Sequence, residues 1–324
     1  MPCVEVSAPA HLHAGNFEFT CDERVSRCFG TIGVAVESPR LVVRVCTSPR
    51  IDAYSTGGRW CEELVPHARG YLERLREELG VTLAAELRRC YPWGAGLGAR
   101  TALALSLAAA ALRLSAEPRS LEDLALLLGR GWVSGLGFHS FTRGGLIVDA
   151  GFRPERPGGR VPPLVARLEP PIHIAVVTPL DPLGAVRRLK ESVEARGYPR
   201  APEGLSARLA RLAFTGFLCN AAAGDYAEAF RALEEMNRVA AEYWRGLGQS
   251  GVYCCREAEE AAEHLRRYGA VAVLQSSWGP SVWGVYLRAE DARLAAREAA
   301  AKLGYRLLSW YTRIDATGAR LRNP

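Results

Sequence analysis

The chain has 324 residues, enough for one large core or two ordinary domains. With 48% hydrophobic and 23% charged residues it is neither disordered nor fibrous, and a net charge of +6, with Arg and Glu mixed along most helical stretches, does not make a nucleic-acid footprint. The most apolar stretch, Thr101–Leu112, is too short to span a bilayer, and no N-terminal segment has the basic, apolar and small-residue order of a secretion signal, so a cytoplasmic protein without membrane partners is expected.

Strands are predicted at Val4–Ala8, Val34–Glu37 and Leu41–Cys46, from apolar or alternating runs between turn residues. Glu63–Leu79 carries Leu64, Tyr71, Leu72 and Leu75 at helical spacing, with Gly80 as a stop. A strand at Val81–Cys90 runs directly into Pro92-Trp93-Gly94-Ala95-Gly96-Leu97-Gly98, and an Ala/Leu-rich helix follows to Leu114. Next come a helix at Leu121–Leu128, a strand at Leu146–Val148 and a Pro/Gly/Arg-rich linker candidate at Arg153–Pro163. Beyond it, strands are predicted at Ile172–Val177, Val271–Leu274, Val282–Leu287 and Arg306–Tyr311. Helices are predicted at Asp181–Ala195, Ser206–Ala223, Tyr226–Leu247, Glu257–Tyr268 and Ala289–Leu303. The mixture reads as an α+β or α/β chain in two lobes, divided into residues 1–160 and 161–324.

Almost all positive charge is arginine, since Lys190 and Lys302 are the only lysines, and Gln249 and Gln275 are the only glutamines. The planar guanidinium fork suits phosphate and carboxylate, so an anionic metabolite is the expected ligand. The nine cysteines include no CxxC pair, and no histidine pair has zinc-ligand spacing, so mostly reduced thiols are expected.

Four segments could carry chemistry. In the first, Gly94, Gly96, Leu97, Gly98 and Ala99 lead from a strand into a helix whose free N–H groups and positive dipole end form an anion site; Arg100 and Thr101 add a charge and a hydroxyl. No Gly-Lys-Ser/Thr follows, so it is not a Walker loop. The second, Gly129–Gly145, holds Ser134, Gly135, Gly137, His139 and Arg143; so glycine-rich a loop is costly to order and usually serves a site. The third is the turn Gln275–Ser281, with Ser276, Ser277 and Gly279. The fourth is the run Pro9–Asn16, with His11 and His13, followed by Arg27, Gly30 and Gly33; substrate hydrogen bonding suits these histidines better than a metal pair.

The loop opening an alanine-rich helix, the N-terminal Ser7-Ala8-Pro9, the turn Ser276–Ser281 and the closing Thr317-Gly318-Ala319-Arg320 resemble the GHMP kinases over nearly the whole chain. The resemblance implies an α+β fold with an N-terminal lobe like domain 2 of ribosomal protein S5 and a ferredoxin-like C-terminal lobe. The kinase loop usually continues Gly-Leu-Gly-Ser-Ser, whereas Ala99 and Arg100 stand here. A later Ser-Gly-x-x-Asp pattern loses its acid at Ser134–His139, and the next acid is Asp149. Those departures lower the expectation of an ATP-dependent small-molecule kinase.

A narrower branch, the archaeal β-ribofuranosylaminobenzene 5′-phosphate synthases, is similar in Gly129–Asp149, in Ser276–Val282 and in the spacing of His13, Arg27, Gly30 and Gly33. The resemblance implies a transferase of methanopterin biosynthesis. It would join phosphoribosyl pyrophosphate to 4-aminobenzoate, or a 4-hydroxybenzoate-like acid, with loss of CO2 and pyrophosphate, and would use Mg²⁺ as a homodimer. Arg27 or Arg143 would hold a carboxylate or the 5-phosphate, His13 or His139 would orient the amine or shuttle a proton, and Ser134 or Ser276 would bind phosphate oxygens. Metal ligands are not assigned.

Overall fold

The computed structural model describes residues 1–21, 26–115, 117–155 and 158–323. The first half runs β1 (Cys3–Asn16), β2 (Thr31–Thr47), β3 (Asp52–Ser55), α1 (Arg59–Glu62), α2 (Val65–Leu79), β4 (Leu83–Arg89), α3 (Ala99–Leu114), α4 (Leu121–Leu127), α5 (Leu136–Arg143), β5 (Leu146–Asp149) and β6 (Leu164–Leu168). The second runs β7 (His173–Pro179), α6 (Leu183–Arg196), α7 (Glu203–Arg211), a π-helical stretch (Leu212–Leu218), α8 (Cys219–Ala223), α9 (Tyr226–Gly246), α10 (Arg256–Arg267), β8 (Ala272–Gln275), β9 (Val282–Tyr286), α11 (Ala289–Lys302), β10 (Leu307–Arg313) and β11 (Arg320–Arg322).

β2 organises a seven-stranded sheet. It pairs along its length with β1, while its first half also pairs with β5 and its second half with β4. Alternation aims Leu41, Val43 and Val45 into the core, opposite Ala8, Val6 and Val4 of β1. The two strands expected at Val34–Glu37 and Leu41–Cys46 are one strand, continuous through Pro39. Helix α3 packs on this sheet. Its run of small alanines is buried on nearly every side, as expected for a helix that is apolar all round.

The second sheet has the order β10-β7-β9-β8, antiparallel throughout. Counted within this lobe the order is 4-1-3-2, the arrangement of the ferredoxin-like split βαβ unit. Ala175 and Val177 of β7 face α10 and α11. The alternate residues Ile174 and Val176 join a cluster with Phe230, Leu233 and Met236 of α9 that continues into β1, β2 and α3. Both sheets therefore share one core.

β6 pairs with β5, and β11 returns to pair with β1, so residues on both sides of 160/161 contribute to the first sheet. The linker candidate Arg153–Pro163, whose residues 156 and 157 lie outside the described residues, connects two neighbouring strands, β5 and β6. A buried ion pair fixes the returning C-terminal segment. Arg40 pairs with Asp315, which is 1% exposed and also accepts N–H bonds from Thr317 and Gly318.

The structure corrects the cysteine expectation. Disulfides join Cys3 to Cys46, Cys21 to Cys28 and Cys61 to Cys90, leaving Cys219, Cys254 and Cys255 as free thiols. Cys3 and Cys46 stand opposite each other in the β1–β2 ladder, 43 residues apart in sequence. That relation depends on strand register, which cysteine spacing does not disclose. Among the described residues no helix is long and apolar enough to cross a membrane.

Candidate active site

A cleft of about 660 Å³ opens between the end of β1, the start of α3, the glycine segment before α5, helices α6 and α9, and the β8–β9 turn. Five of the candidate residues meet there: His13, Arg100, Thr101, Ser134 and Ser277. They are joined by Arg130, Lys190 and Glu194, by the amides Asn16, Asn237, Gln249 and Gln275, and by an aromatic wall that includes Phe29, Tyr198, Trp244 and Trp278. Trp278 meets Trp244 edge-on at 5.0 Å.

Three cations against one carboxylate make the polar side of the cleft electropositive. Lys190 Nζ lies 3.7 Å from Glu194 Oε1. Burial lowers the Lys190 pKa, Glu194 opposes that shift, and Arg100 and Arg130 lower it further. The Arg130 guanidinium is likewise pushed down, first by burial and also by Arg100. Among the described residues neither Arg100 nor Arg130 forms an ion pair. Arg100 instead lies 5.2 Å from the Trp93 ring centroid, held over an aromatic face. Mutually repelling cations of this kind are stabilised by an anion placed among them.

The glycine loop before α3 turns tightly, as its three glycines lead one to expect. Gly94, Gly96 and Gly98 all have positive φ, and each is closely approached. A Cβ on Gly94 would lie 2.6 Å from Arg187 Cγ, one on Gly96 2.2 Å from the Ser276 carbonyl oxygen, and one on Gly98 2.0 Å from His11 Cε1. Leu97 and Ala99 are buried. Arg187 braces the loop, donating from Nε to the Trp93 carbonyl at 2.9 Å and pairing with Glu63 at 3.0 Å. The Cα side of each glycine is thus packed while the three residues stay half-buried, and the loop leads directly into Arg100 and Thr101 at the cleft.

Gly98→Ala is expected to cost about 2–3 kcal/mol, of which about 1–2 is the left-handed backbone and the rest the clash with His11. In a His11→Ala background the clash part should disappear. Urea unfolding of the four proteins measures this; strictly additive losses would mean that the ring is not what requires glycine.

Ser276 is a bolt rather than a ligand group. It is fully buried, its hydroxyl donates to the Gly96 carbonyl at 2.5 Å, and it accepts from the His13 N–H at 2.9 Å. Gly279 lies under the same turn against Cys254. Burial pushes the pKa of both His11 and His13 down to about 4, with Lys190 assisting at His11 and His11 assisting at His13. Both rings are therefore neutral donors and acceptors near neutral pH. Because the folded pKa lies below 6.5, their contribution to stability is present above that value and is lost as pH falls from 6.5 towards 4. A His11→Asn/His13→Asn protein should show a flatter acid limb when urea midpoints are followed over that range.

The second glycine segment departs from a simple loop, because Leu136–Arg143 is helix α5. Asp149, 0% exposed, anchors its start. It accepts from the Ser134 hydroxyl at 3.1 Å and the Gly135 N–H at 2.9 Å, while its other oxygen accepts from the Gly151 N–H at 2.8 Å. Gly135 packs on the Pro162 carbonyl, and Gly137 on Thr101 and His11, so both serve packing.

Three candidates lie away from the cleft. Arg27 donates to the Ala150 and Gly151 carbonyls, each at 3.0 Å, and closes the end of β5. His139 is buried with Nε2 2.8 Å from the Pro162 carbonyl oxygen. Arg143 is exposed at the end of α5, and its carbonyl accepts from Arg167. His139 and Arg143 lie on α5, which carries them away from the cleft, and Arg27 is held at the end of β5 by its two carbonyl partners.

Lys190, Arg130, Glu194 and the amide cluster were not among the sequence candidates, yet composition held a signal. The chain has only two glutamines and four asparagines; both glutamines and two of the asparagines, Asn16 and Asn237, line the cleft, as does one of its two lysines. Residue types rare elsewhere are concentrated where polar groups converge.

The fold is that of the GHMP kinases. Homoserine kinase from Cytophaga hutchinsonii superposes with a TM-score of 0.70 at 16% identity, covering 99% of this chain and 98% of that one. Mevalonate diphosphate decarboxylase from Enterococcus faecalis gives 0.66 at 14% identity, covering 100% and 99%. In sequence the chain is similar to archaeal proteins named β-ribofuranosylphenol 5′-phosphate synthase. That of Methanothermobacter thermautotrophicus is 29% identical over 191 residues, 52% of this chain and 53% of that protein. That of Archaeoglobus fulgidus is 26% identical over 155 residues, 47% of each. The chain thus spans about half the length of the curated relatives it matches. No family model matches the sequence.

Proposed function

We propose that the chain is a phosphoribosyl transferase that joins phosphoribosyl pyrophosphate to a para-substituted benzoate, releasing pyrophosphate and CO2, as a step towards methanopterin. The observation that carries this reading is the cleft itself. Its Arg100–Arg130–Lys190 side suits a diphosphate, and its Phe29–Tyr198–Trp244–Trp278 side suits a flat ring. The name shared by the archaeal relatives supports the same reaction class and favours the hydroxybenzoate over 4-aminobenzoate as acceptor.

In this reading the ring carbon bearing the carboxylate bonds to ribose C1 as the bond from C1 to pyrophosphate breaks. Loss of CO2 then returns the electron pair to the ring. Arg100, Arg130 and Lys190 neutralise the charge that grows on the leaving pyrophosphate. Neutral His13, with Thr101, Ser134 and Ser277 around it, orients the hydroxyl or amine and the phosphate oxygens. Mg²⁺ fits as an ion carried by the diphosphate, since such ions commonly use one or two carboxylates plus substrate oxygens; Glu194 is the carboxylate at hand, and the ion would supply further charge neutralisation.

The fold neighbours raise a second reading, an ATP-dependent kinase. Against it, the only carboxylate lining the cleft among the described residues is Glu194, and Asp149 is spent on backbone N–H groups. Incubation with Mg²⁺, phosphoribosyl pyrophosphate and carboxyl-labelled 4-hydroxybenzoate or 4-aminobenzoate tests the proposal. Labelled CO2 with a ribosylated arene is expected. No CO2 from either acid, or ADP formed from ATP and small alcohols, would overturn it.

A further inference from the structure

Two of the three free thiols are adjacent, and the reaction proposed above uses neither. Cys254 Sγ and Cys255 Sγ lie 3.3 Å apart just before α10. Cys255 lines a second cleft of about 350 Å³ beside Arg238, Arg256 and Arg266, with Glu234 and Glu259 also on its wall. Cys255 is also the N-cap residue of α10, where a thiolate is favoured.

Cys254 reaches towards the main cleft. Its N–H donates to Gln275 Oε1 at 2.6 Å, and Gln275 Nε2 donates to the Ser277 carbonyl at 3.0 Å. Its sulfur lies against Gly279, and its side chain packs beside Trp278. One side of the pair thus meets solvent, and the other meets the wall that carries Gln275, Ser277 and Trp278.

We propose that Cys254 and Cys255 form a modification site at which a low-molecular-weight disulfide, such as oxidised glutathione, converts the two thiols into a vicinal disulfide and so shifts the adjoining cleft wall. The Cys255 thiolate attacks the small disulfide, forming a mixed disulfide and releasing one thiolate. Cys254 then gives its proton to the thiolate released in the first step and attacks Cys255 Sγ, closing the protein disulfide and releasing the second thiol. Two protein S–H bonds are lost, one protein S–S bond forms, and the two electrons reduce the small disulfide to two thiols.

The electrostatics support Cys255 as the attacking group. The hydrogen bond from the Cys254 thiol lowers the Cys255 pKa, and the Ala258 N–H adds to this, against burial and Glu257.

The test uses a Cys219→Ser protein with its three native disulfides intact, exposed to oxidised glutathione, then alkylated and mapped by mass spectrometry. The peptide spanning Cys254 and Cys255 should resist alkylation, lose two hydrogens and carry no glutathione. With Cys254→Ser added, the reaction should stop at a glutathione adduct on Cys255. Oxidation should also shift tryptophan emission, with dithiothreitol restoring it and Cys255→Ser abolishing it. A stable adduct on Cys255 in the protein that keeps Cys254, or full alkylation of both thiols under conditions that modify Cys219 in the parent chain, would overturn the site. Disulfide formation with unchanged emission would overturn its coupling to the cleft. None of these readouts depends on the phosphoribosyl reading.

Discussion

On the proposed phosphoribosyl transfer, Arg100→Ala is expected to lower kcat/KM for phosphoribosyl pyrophosphate by on the order of 10²-fold, the usual loss when one donor to developing negative charge is removed. Arg113→Ala, at the exposed far end of the same helix, should change it less than about twofold, since surface substitutions away from a site have small effects. The contrast isolates position from charge, because both changes remove one arginine from α3. Arg100→Lys should restore part of the loss: it keeps the charge but gives up the planar fork and the stacking on Trp93. Steady-state kinetics together with pyrophosphate titration would check this. Equal losses for Arg100 and Arg113 would remove the cationic wall from the mechanism.

The second large effect is on folding. Asp149→Ala should cost about 4 kcal/mol, because it strands the Gly135 and Gly151 N–H groups and the Ser134 hydroxyl in a buried setting, at roughly 1–3 kcal/mol each. Urea unfolding would measure it. Burial pushes the Asp149 carboxyl up to about 7, against the N–H groups and hydroxyl that favour its ionised form. A pKa raised on folding gives stability that is full below the unfolded value near 3.8 and is lost as pH rises towards 7. The two histidines act in the opposite sense over nearly the same range, so the signal lies in the difference between the native protein and Asp149→Asn. That difference should change between pH 4 and 7; a flat one would mean that Asp149 does not titrate there.

Most of the helices and strands were legible because their periodicity is local. The Glu63–Leu79 stripe became α2 with Gly80 as its cap, and Ala289–Leu303 became α11 within a residue. The short strands β3, β6 and β11 were missed, since three to five residues carry little pattern of their own and form because a partner edge is present. Helix α5 was hidden by Gly135, Gly137 and Gly144, and it is held by burial and by Asp149 rather than by propensity. At the site, Arg100, Thr101 and His13 could be read from the loops that carry them. Lys190 and Asn237 could not, because they sit inside ordinary amphipathic helices, and only the tertiary arrangement turns them to the cleft.

The cleft draws its walls from β1, the start of α3, α6, α9 and the β8–β9 turn, segments spread over most of the chain. A ligand held there acts as a brace across the whole fold. Only the folded chain brings these segments together, so binding and folding are thermodynamically linked. An anion present at a hundred times its dissociation constant should add about 2.7 kcal/mol to the unfolding free energy. Part of that gain is relief of the repulsion among Arg100, Arg130 and Lys190, which the ligand-free chain carries alone. Thermal midpoints should therefore rise with pyrophosphate concentration, and the rise should shrink as ionic strength screens the same charges.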